Sequence, residues 1–500
     1  MMGDNILYRG IQDGKRVKEK ISYKPTLFLK AKPGAVSNYA NLAGEYLEPI
    51  EFGSIKDARE FTKLHQGVEN FKIYGNTSYV YSFISDYFPN QVDFDKLEIV
   101  VGYIDIEVAS ENGFPEPALA TEEVTAITLL LNKNYFVFGC GDFVVPDGRS
   151  DIRYLKCNSE KHMIECFVAV WTKFKPDIIS GWNIKTFDFP YLINRMFKLG
   201  MKELVKKLSP WGIVKERERT VMGRTEQFYE MVGVATLDYL DCYQSNWAQL
   251  PKLPSYKLSD VAFAEIGEKK LDYEEYQNLH TLYKRNYQKF IEYNIRDVYL
   301  VDAMEDKLGL IELAMTLAYD NKVNFEDVFS QVRMWDSIAN NFLRKKNIII
   351  PPKEIHLKAK EYSGAHVKEP MLGMHKWGVS FDLDGLYPHL IMQYNISPET
   401  LVPLVKLPQE VDDWYNENLD KANVNGLLNT LLDTSILKKH NLCMTPNGAF
   451  FRKDKLGFMP ELMNTMYDDR KKYKDQMIVA QKELEQINSE IQKRKMDIPK

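Results

Sequence analysis

At 500 residues, with 45% hydrophobic and 27% charged side chains, the chain has room for roughly three domains and their cores. Its formal net charge of −5 excludes an overall basic character, although a nucleic-acid groove needs only local positive charge. The N-terminus, Met1-Met2-Gly3-Asp4-Asn5, has no basic region followed by an apolar run. No apolar stretch approaches the roughly 20 residues that span a bilayer, so no membrane partner is expected. The five cysteines, Cys140, Cys157, Cys166, Cys242 and Cys443, are scattered with no pair at metal-ligand spacing, and read as free thiols in a reducing compartment.

Residues 1–98 read as mixed strands and short helices, rich in aromatics such as Tyr74, Tyr79, Tyr81 and Tyr87, with no catalytic cluster. Glu98 to Asp105 is a buried-strand pattern that opens a second unit, 99–309, in which strands and helices alternate. Within it, Ile213 to Thr220 and Thr225 to Ala235 are expected to form a hairpin around Met222-Gly223-Arg224. Residues 310–353 read as helical, with Trp335 and Phe342 at core-like spacing, up to the Pro351-Pro352 stop. A third unit, 354–457, contains Ser380-Phe381-Asp382-Leu383-Asp384-Gly385-Leu386-Tyr387-Pro388, an aspartate at an expected strand end followed by a turn and Leu-Tyr-Pro. The last segment, 458–500, is a long helix with Pro460 and Glu461 in its first turn. Leu462, Met466, Tyr473, Met477, Ala480, Leu484, Ile487 and Ile491 form a stripe on it, expected to be buried against a neighbour or, left bare, to be an exposed interaction patch.

Chemistry concentrates in the second unit. Asp105-Ile106-Glu107 sets two carboxylates two residues apart on a strand, so both point to one face. Such charges repel unless a cation lies between them, and hard oxygen ligands suit magnesium or manganese. Asp188 follows in Gly181-Trp182-Asn183-Ile184-Lys185-Thr186-Phe187-Asp188-Phe189-Pro190-Tyr191, where the proline starts a helix. Tyr293 and Asp297 lie four apart in Phe290-Ile291-Glu292-Tyr293-Asn294-Ile295-Arg296-Asp297, which on a helix sets both on one face. Any one of these motifs alone could be a capped or salt-bridged carboxylate.

Four acids and one tyrosine in this order and spacing resemble the proofreading 3'-5' exonuclease domain of family B DNA polymerases, and cover all three of its motifs. The resemblance implies an RNase H-like fold for 99–309, in which Asp105, Glu107, Asp188 and Asp297 hold two metal ions, Mg2+ or Mn2+. One metal would activate water, the other stabilise the leaving 3' oxygen, and Tyr293 would position the attacking water. The hairpin at 213–235 is similar in shape and place, not in residues, to the family's strand-separating hairpin. By the same resemblance 1–98 is the N-terminal domain and 310–353 a helical return to it.

Ser380 to Pro388 resembles the family's first polymerase motif. The fold class that follows is α/β and α+β, multidomain: an RNase H-like exonuclease domain, then an incomplete family B palm (354–457) and fingers (458–500). The resemblance implies that Asp382 ligates both catalytic metals, helped by the Leu383 carbonyl. Leu386 and Tyr387 would bring backbone N–H groups to the triphosphate, and the Tyr387 ring would lie under the sugar and exclude a 2'-hydroxyl. Arg470 and Lys474, four apart on the terminal helix, would face the triphosphate, although the bare pattern reads as a solvated face. Tyr362-Ser363-Gly364-Ala365 resembles the motif between the two domains, so Tyr362 and Gly364 are expected to contact DNA. Asn395-Ile396-Ser397-Pro398-Glu399-Thr400 and Thr445-Pro446-Asn447-Gly448 resemble segments of polymerases from large tailed bacteriophages.

The sequence also departs from the family. Serine is usual where Gly385 and His389 stand, and Asp384 adds a carboxylate near the metals. No Tyr-Gly-Asp-Thr-Asp-Ser segment occurs, nor a second fingers helix; Leu432-Asp433-Thr434-Ser435 lacks the second aspartate. The expected function is therefore the N-terminal part of a replicative DNA-directed DNA polymerase with proofreading, its polymerase site needing a second chain or the missing C-terminal part. The alternatives are an autonomous metal-dependent 3'-5' exonuclease and a non-catalytic nucleic-acid-binding remnant. Expected partners are DNA primer-template, single-stranded DNA, deoxynucleoside triphosphates and a second polypeptide carrying the remaining palm, fingers and thumb. The expected location is the cytoplasm, that of a host cell if the protein is viral.

Overall fold

The computed structural model describes residues 3–496 apart from 13, 112, 114, 222–223, 246, 354–368, 422, 424–425, 427–428 and 430–431. The chain falls into two compact units, each drawn from separated stretches: 1–25, 51–64 and 77–341 in one, 26–50, 65–76 and 342–500 in the other. The architecture is multidomain, α/β in the first unit and α+β in the second.

The first unit is built on a six-stranded sheet. Val124–Leu131, with the sequence VTAITLLL, is buried at all eight positions, as a central strand covered on both faces requires. It runs antiparallel to Val101–Val108 on one side and Asn134–Gly139 on the other. Ile152–Lys156 then adds parallel to Asn134–Gly139, and Ile178–Ser180 parallel to Val101–Val108, with Ala235–Thr236 at the far edge. Side chains alternate along a strand, so the sheet has two cores. Ile104, Ile106, Phe136 and Phe138 pack with Phe167 and Trp171 of the Glu160–Phe174 helix and Leu192 of the Asp188–Lys198 helix. Tyr103, Ala126 and Leu130 pack with Phe290, Ile291 and Val298 of the Tyr287–Leu308 helix on the opposite face. Asp105 and Glu107 share the Tyr103 face by the same alternation.

The hairpin is present as Val214–Val221 paired antiparallel with Arg224–Met231; its Met222-Gly223 turn lies outside the described residues. Its second strand is shorter than expected, because Gly233 (φ +90°) turns the chain and Ala235–Thr236 joins the large sheet. A Cβ at Gly233 would meet Pro210 and the Trp211 ring at 2.8 Å, so the turn needs glycine. The hairpin is laced by Arg217 to Glu230 (2.7 Å) and Gln227 to Glu216 (2.8 Å), and anchored by the Tyr229 hydroxyl on Asn194 (2.6 Å). Trp335 corrects an expectation: it is 45% exposed, while Met334 and Ser337 take the inner side of the Gln331–Arg344 helix.

In the second unit, Ile348 and Ile349 run beside Ala40, and Phe28, Leu47, Tyr74 and Ile349 form a small core. A second small sheet orders Leu401–Val402, Phe450–Arg452 and Leu442–Met444, over Val411 and Leu437. Asn395 is its fastener. Buried with φ +54°, it donates to the Arg452 (2.6 Å) and Lys455 (2.9 Å) carbonyls and accepts from Gly457 N–H (2.9 Å). Glu399 accepts from Phe458 N–H, so this motif fixes where the terminal helix begins. That helix, Phe458–Met496, is about 58 Å long at 1.5 Å per residue. Of its apolar stripe Leu462 is buried, whereas Met466, Tyr473, Met477, Ala480, Leu484, Ile487 and Ile491 are exposed, which corrects the expected burial and leaves the bare-patch reading. A helix face is buried where a neighbour lies against it, and the Leu386–Tyr394 helix meets this one near its start, through His389 on Tyr467.

Candidate active site

The Val101–Val108 strand and the Tyr287–Leu308 helix bring three carboxylates together. Oxygens of Asp105, Glu107 and Asp297 lie within 4.8 Å of one another, and Glu107 and Asp297 are buried. The helix is held in place at its ends: the Asn286 side chain accepts from Lys289 N–H, and Gly309 closes it with φ +61°. Tyr293 and Asp297 occupy one face, as their four-residue spacing predicts. Asp188 stands beside the trio and is held differently. Its Oδ1 accepts from the Ile106 N–H (3.0 Å), between the two strand acids, and its charge reaches both of them.

Lys270, which sequence reasoning missed, completes the group. Its ammonium donates to Asp297 Oδ2 and to the Tyr293 hydroxyl oxygen (3.1 Å). It comes from a segment without regular structure, so no periodicity announced it. Asp238, also missed, caps the loop leading to Asp188 by accepting from the N–H groups of Asn183 (3.0 Å) and Lys185 (2.9 Å).

Burial pushes these acids up, and like charge adds to it at Asp105 and Glu107. Glu107 rises to about 8, through burial and then Asp297, against the pull of Lys270. Asp188 rises to about 7, through burial, against its backbone hydrogen bond. Asp105 is raised well above the carboxylate range by burial, Asp297 and Asp188. Burial also raises Asp297, with Lys270 opposing. Burial alone would lower Lys270, but Asp297, Tyr293 and Asp105 outweigh it and keep the ammonium charged. Asp297 Oδ1 is buried without a hydrogen-bond partner. An orphaned oxygen in a trio of acids fits a cation ligand set, and hard oxygens fit a hard divalent ion.

A pH dependence follows. These carboxyls titrate higher folded than unfolded, so their contribution to stability is full below about pH 4 and is lost as pH rises through 7 and 8. The metal-free protein should therefore unfold at progressively lower temperature from pH 5 to 8 in EDTA. Magnesium, which favours the ionised acids, should raise the unfolding temperature more at pH 8 than at pH 5. An increment equal at both pH values would count against a cation site here.

The second unit keeps its motif residues in the open. Asp382 and Leu383 are exposed, as are Leu386, Tyr387 (73%) and Lys474. The expected strand before Asp382 is not formed: 377–383 has no regular structure, because among the described residues none hydrogen-bonds alongside it. Arg470 pairs with Asp384 (3.2 Å), which also accepts from the Tyr467 hydroxyl (3.3 Å). Gly385 has φ +62° at the start of the Leu386–Tyr394 helix, where serine would be strained by about 1 kcal/mol. Asp433 accepts from Ser435 N–H (2.9 Å), so Leu432-Asp433-Thr434-Ser435 is a helix-start turn. Tyr362 and Gly364 lie outside the described residues.

Cys157, His162 and Cys166 also gather within 4.8 Å, which their spacing did not suggest, because His162 and Cys166 share a helix face and Cys157 precedes it. Two of their polar atoms are engaged otherwise. His162 Nδ1 accepts from Asn158 N–H (3.2 Å), and Cys157 donates to the Leu155 carbonyl (3.3 Å). Burial and Cys166 push the Cys157 thiol up to about 12. Among the described residues, no helix is long and apolar enough to cross a membrane.

Comparison with known proteins matches residues 73–261 to the exonuclease domain of DNA polymerase family B and residues 330–497 to DNA polymerase family B. The DNA-directed DNA polymerase of Enterobacteria phage T4 is 30% identical over 98% of this chain and 55% of its own length. That of Escherichia phage RB69 is 28% identical over 96% of this chain and 54% of its own. The DNA polymerase delta catalytic subunit of Drosophila melanogaster is 26% identical over 64% and 28%. The chain spans about half the length of the phage relatives it matches.

Proposed function

The chain belongs to DNA polymerase family B, and on that premise we propose that its first unit is a metal-dependent 3'-5' exonuclease acting on DNA. The observation that carries this reading is the convergence of Asp105, Glu107 and Asp297 around the orphaned Asp297 oxygen. Asp105, Glu107, Asp188 and Asp297 would hold two Mg2+ or Mn2+ ions. Ions bound there supply the positive charge that activates water and stabilises the leaving 3' oxygen. The chain's own residues orient the reactants. Lys270 donates to the Tyr293 oxygen, and burial keeps the phenol protonated, so its O–H is free to position the attacking water. The hairpin at 214–231 is assigned to separating the 3' end from its template.

For the second unit we assign Asp382 and the Leu383 carbonyl to polymerase metals, Leu386, Tyr387, Arg470 and Lys474 to the nucleotide, and Tyr362 and Gly364 to DNA. Synthesis would need a further stretch of polypeptide with the rest of palm, fingers and thumb. The exposed stripe from Met466 to Ile491 supports this, since an apolar face of that length is an interaction surface. Arg470 would leave Asp384 when nucleotide binds.

The test is a 5'-labelled primer on a template with magnesium and all four deoxynucleotides. Shortening with magnesium and none in EDTA is expected, without extension. DNA binding with no shortening in magnesium or manganese would leave the non-catalytic remnant as the better reading.

A further inference from the structure

Asn294 sits between two residues that carry the exonuclease reading, yet no metal or substrate role falls to it. Its side chain is fully buried on the sheet face of the Tyr287–Leu308 helix. Beneath it, Asp105 and Thr128 stand directly opposite each other on neighbouring antiparallel strands, so their side chains share that face. The Asn294 amide spans the pair. Its nitrogen donates to Asp105 Oδ2 (2.7 Å) and to the Asp105 backbone carbonyl (3.3 Å), while its oxygen accepts from the Thr128 hydroxyl.

The direction of this chain follows from the partners. The Asp105 backbone carbonyl can only accept, so the amide must present its NH2 to Asp105 and its oxygen to Thr128. Thr128 is fully buried, and its hydroxyl hydrogen is therefore committed to the amide oxygen. We propose that the Thr128–Asn294 relay is a positioning device for the metal ligand Asp105: it holds one carboxylate oxygen by a neutral donor and so fixes the carboxylate within the trio with Glu107 and Asp297. This deepens the proposed exonuclease site and rests on Asp105 being a cation ligand.

Two features favour the device over ordinary packing. The donor carries no charge, so it orients the acid without competing with a cation, unlike Lys270 on Asp297. The donor also reaches the backbone carbonyl of the same residue, which fixes the side chain relative to its own strand. Partners of this kind behind a metal ligand are worth 10- to 100-fold in metal affinity or activity when removed.

The experiment is titration of the whole chain with Mn2+, followed by spin resonance, alongside kcat and KM on single-stranded DNA. Asn294→Asp keeps the volume and the acceptor, and replaces the amide donor with a carboxyl that can donate only when protonated. Thr128→Val keeps the volume but leaves the amide oxygen without its donor. Asp105→Ala is the reference. Asn294→Asp is expected to weaken Mn2+ binding and lower kcat by about 10- to 100-fold, Thr128→Val less, with KM for DNA unmoved in both. Thermal unfolding in EDTA checks that each variant is folded, and Thr128→Val, which adds no charge, tests the relay even if Asn294→Asp does not fold. Wild-type Mn2+ affinity in folded Asn294→Asp and Thr128→Val, with Asp105→Ala impaired, would overturn the relay and leave the exonuclease site standing. Unchanged Mn2+ binding in Asp105→Ala would overturn the site reading itself.

Discussion

Asp105→Ala combined with Glu107→Ala is expected to lower degradation of single-stranded DNA by about 10^3-fold or more while raising the stability of the metal-free protein. The two effects have one origin. Both acids are held in a buried cluster of like charge, and burial pushes both towards protonation. Removing them relieves repulsion that Lys270 offsets at Asp297 alone by direct contact. It also deletes two of three converging ligands, and each 1.36 kcal/mol of lost charge stabilisation is tenfold in rate, so a loss of about 4 kcal/mol gives the figure stated. A product ladder against time and an unfolding curve in EDTA measure both. Degradation at the wild-type rate would remove these residues from the site. Lost degradation with a lower unfolding temperature would mean that the acids support the strand and not the chemistry.

The parts of this site legible in the sequence are those that depend on local periodicity. A two-residue spacing on a strand and a four-residue spacing on a helix each fix a shared face, so Asp105 with Glu107, and Tyr293 with Asp297, could be paired before any fold was known. Which helix would lie over which strand came from the family resemblance. Lys270 and Asp238 act through long-range contacts from a loop and from a helix cap, where no spacing carries information. Asn294 was hidden for a different reason: its role depends on Thr128, 166 positions away, being the residue opposite Asp105. The hairpin was legible from its turn, but its length was set by the Gly233 bend. In the second unit, the strand before Asp382 and the burial of the terminal stripe both failed as expectations, because each requires a neighbour and not merely a pattern.

Lys270→Ala is the more discriminating substitution, because its effect should depend on whether a cation is present. In EDTA the ammonium bonds Asp297 directly and stands beside the orphaned oxygen of that acid. Deleting one partner of a buried pair costs about 3–5 kcal/mol, and the lysine side chain is 30% exposed, which places the expected loss near 3 kcal/mol. Magnesium at saturation would stand in for the missing charge, since a divalent ion held by Asp105, Glu107 and Asp297 would supply positive charge to Asp297. The loss measured by denaturant in magnesium at pH 8 is therefore expected to shrink to about 1 kcal/mol, within the range of a part-exposed pair. Degradation should persist at reduced rate, because Tyr293 keeps its hydroxyl but loses the ammonium that orients it. A loss near 3 kcal/mol in both solutions would make Lys270 and Asp297 a structural pair that no cation reaches. No loss in either would mean that the pair contributes nothing, and that the balance of charge in this cluster is struck elsewhere.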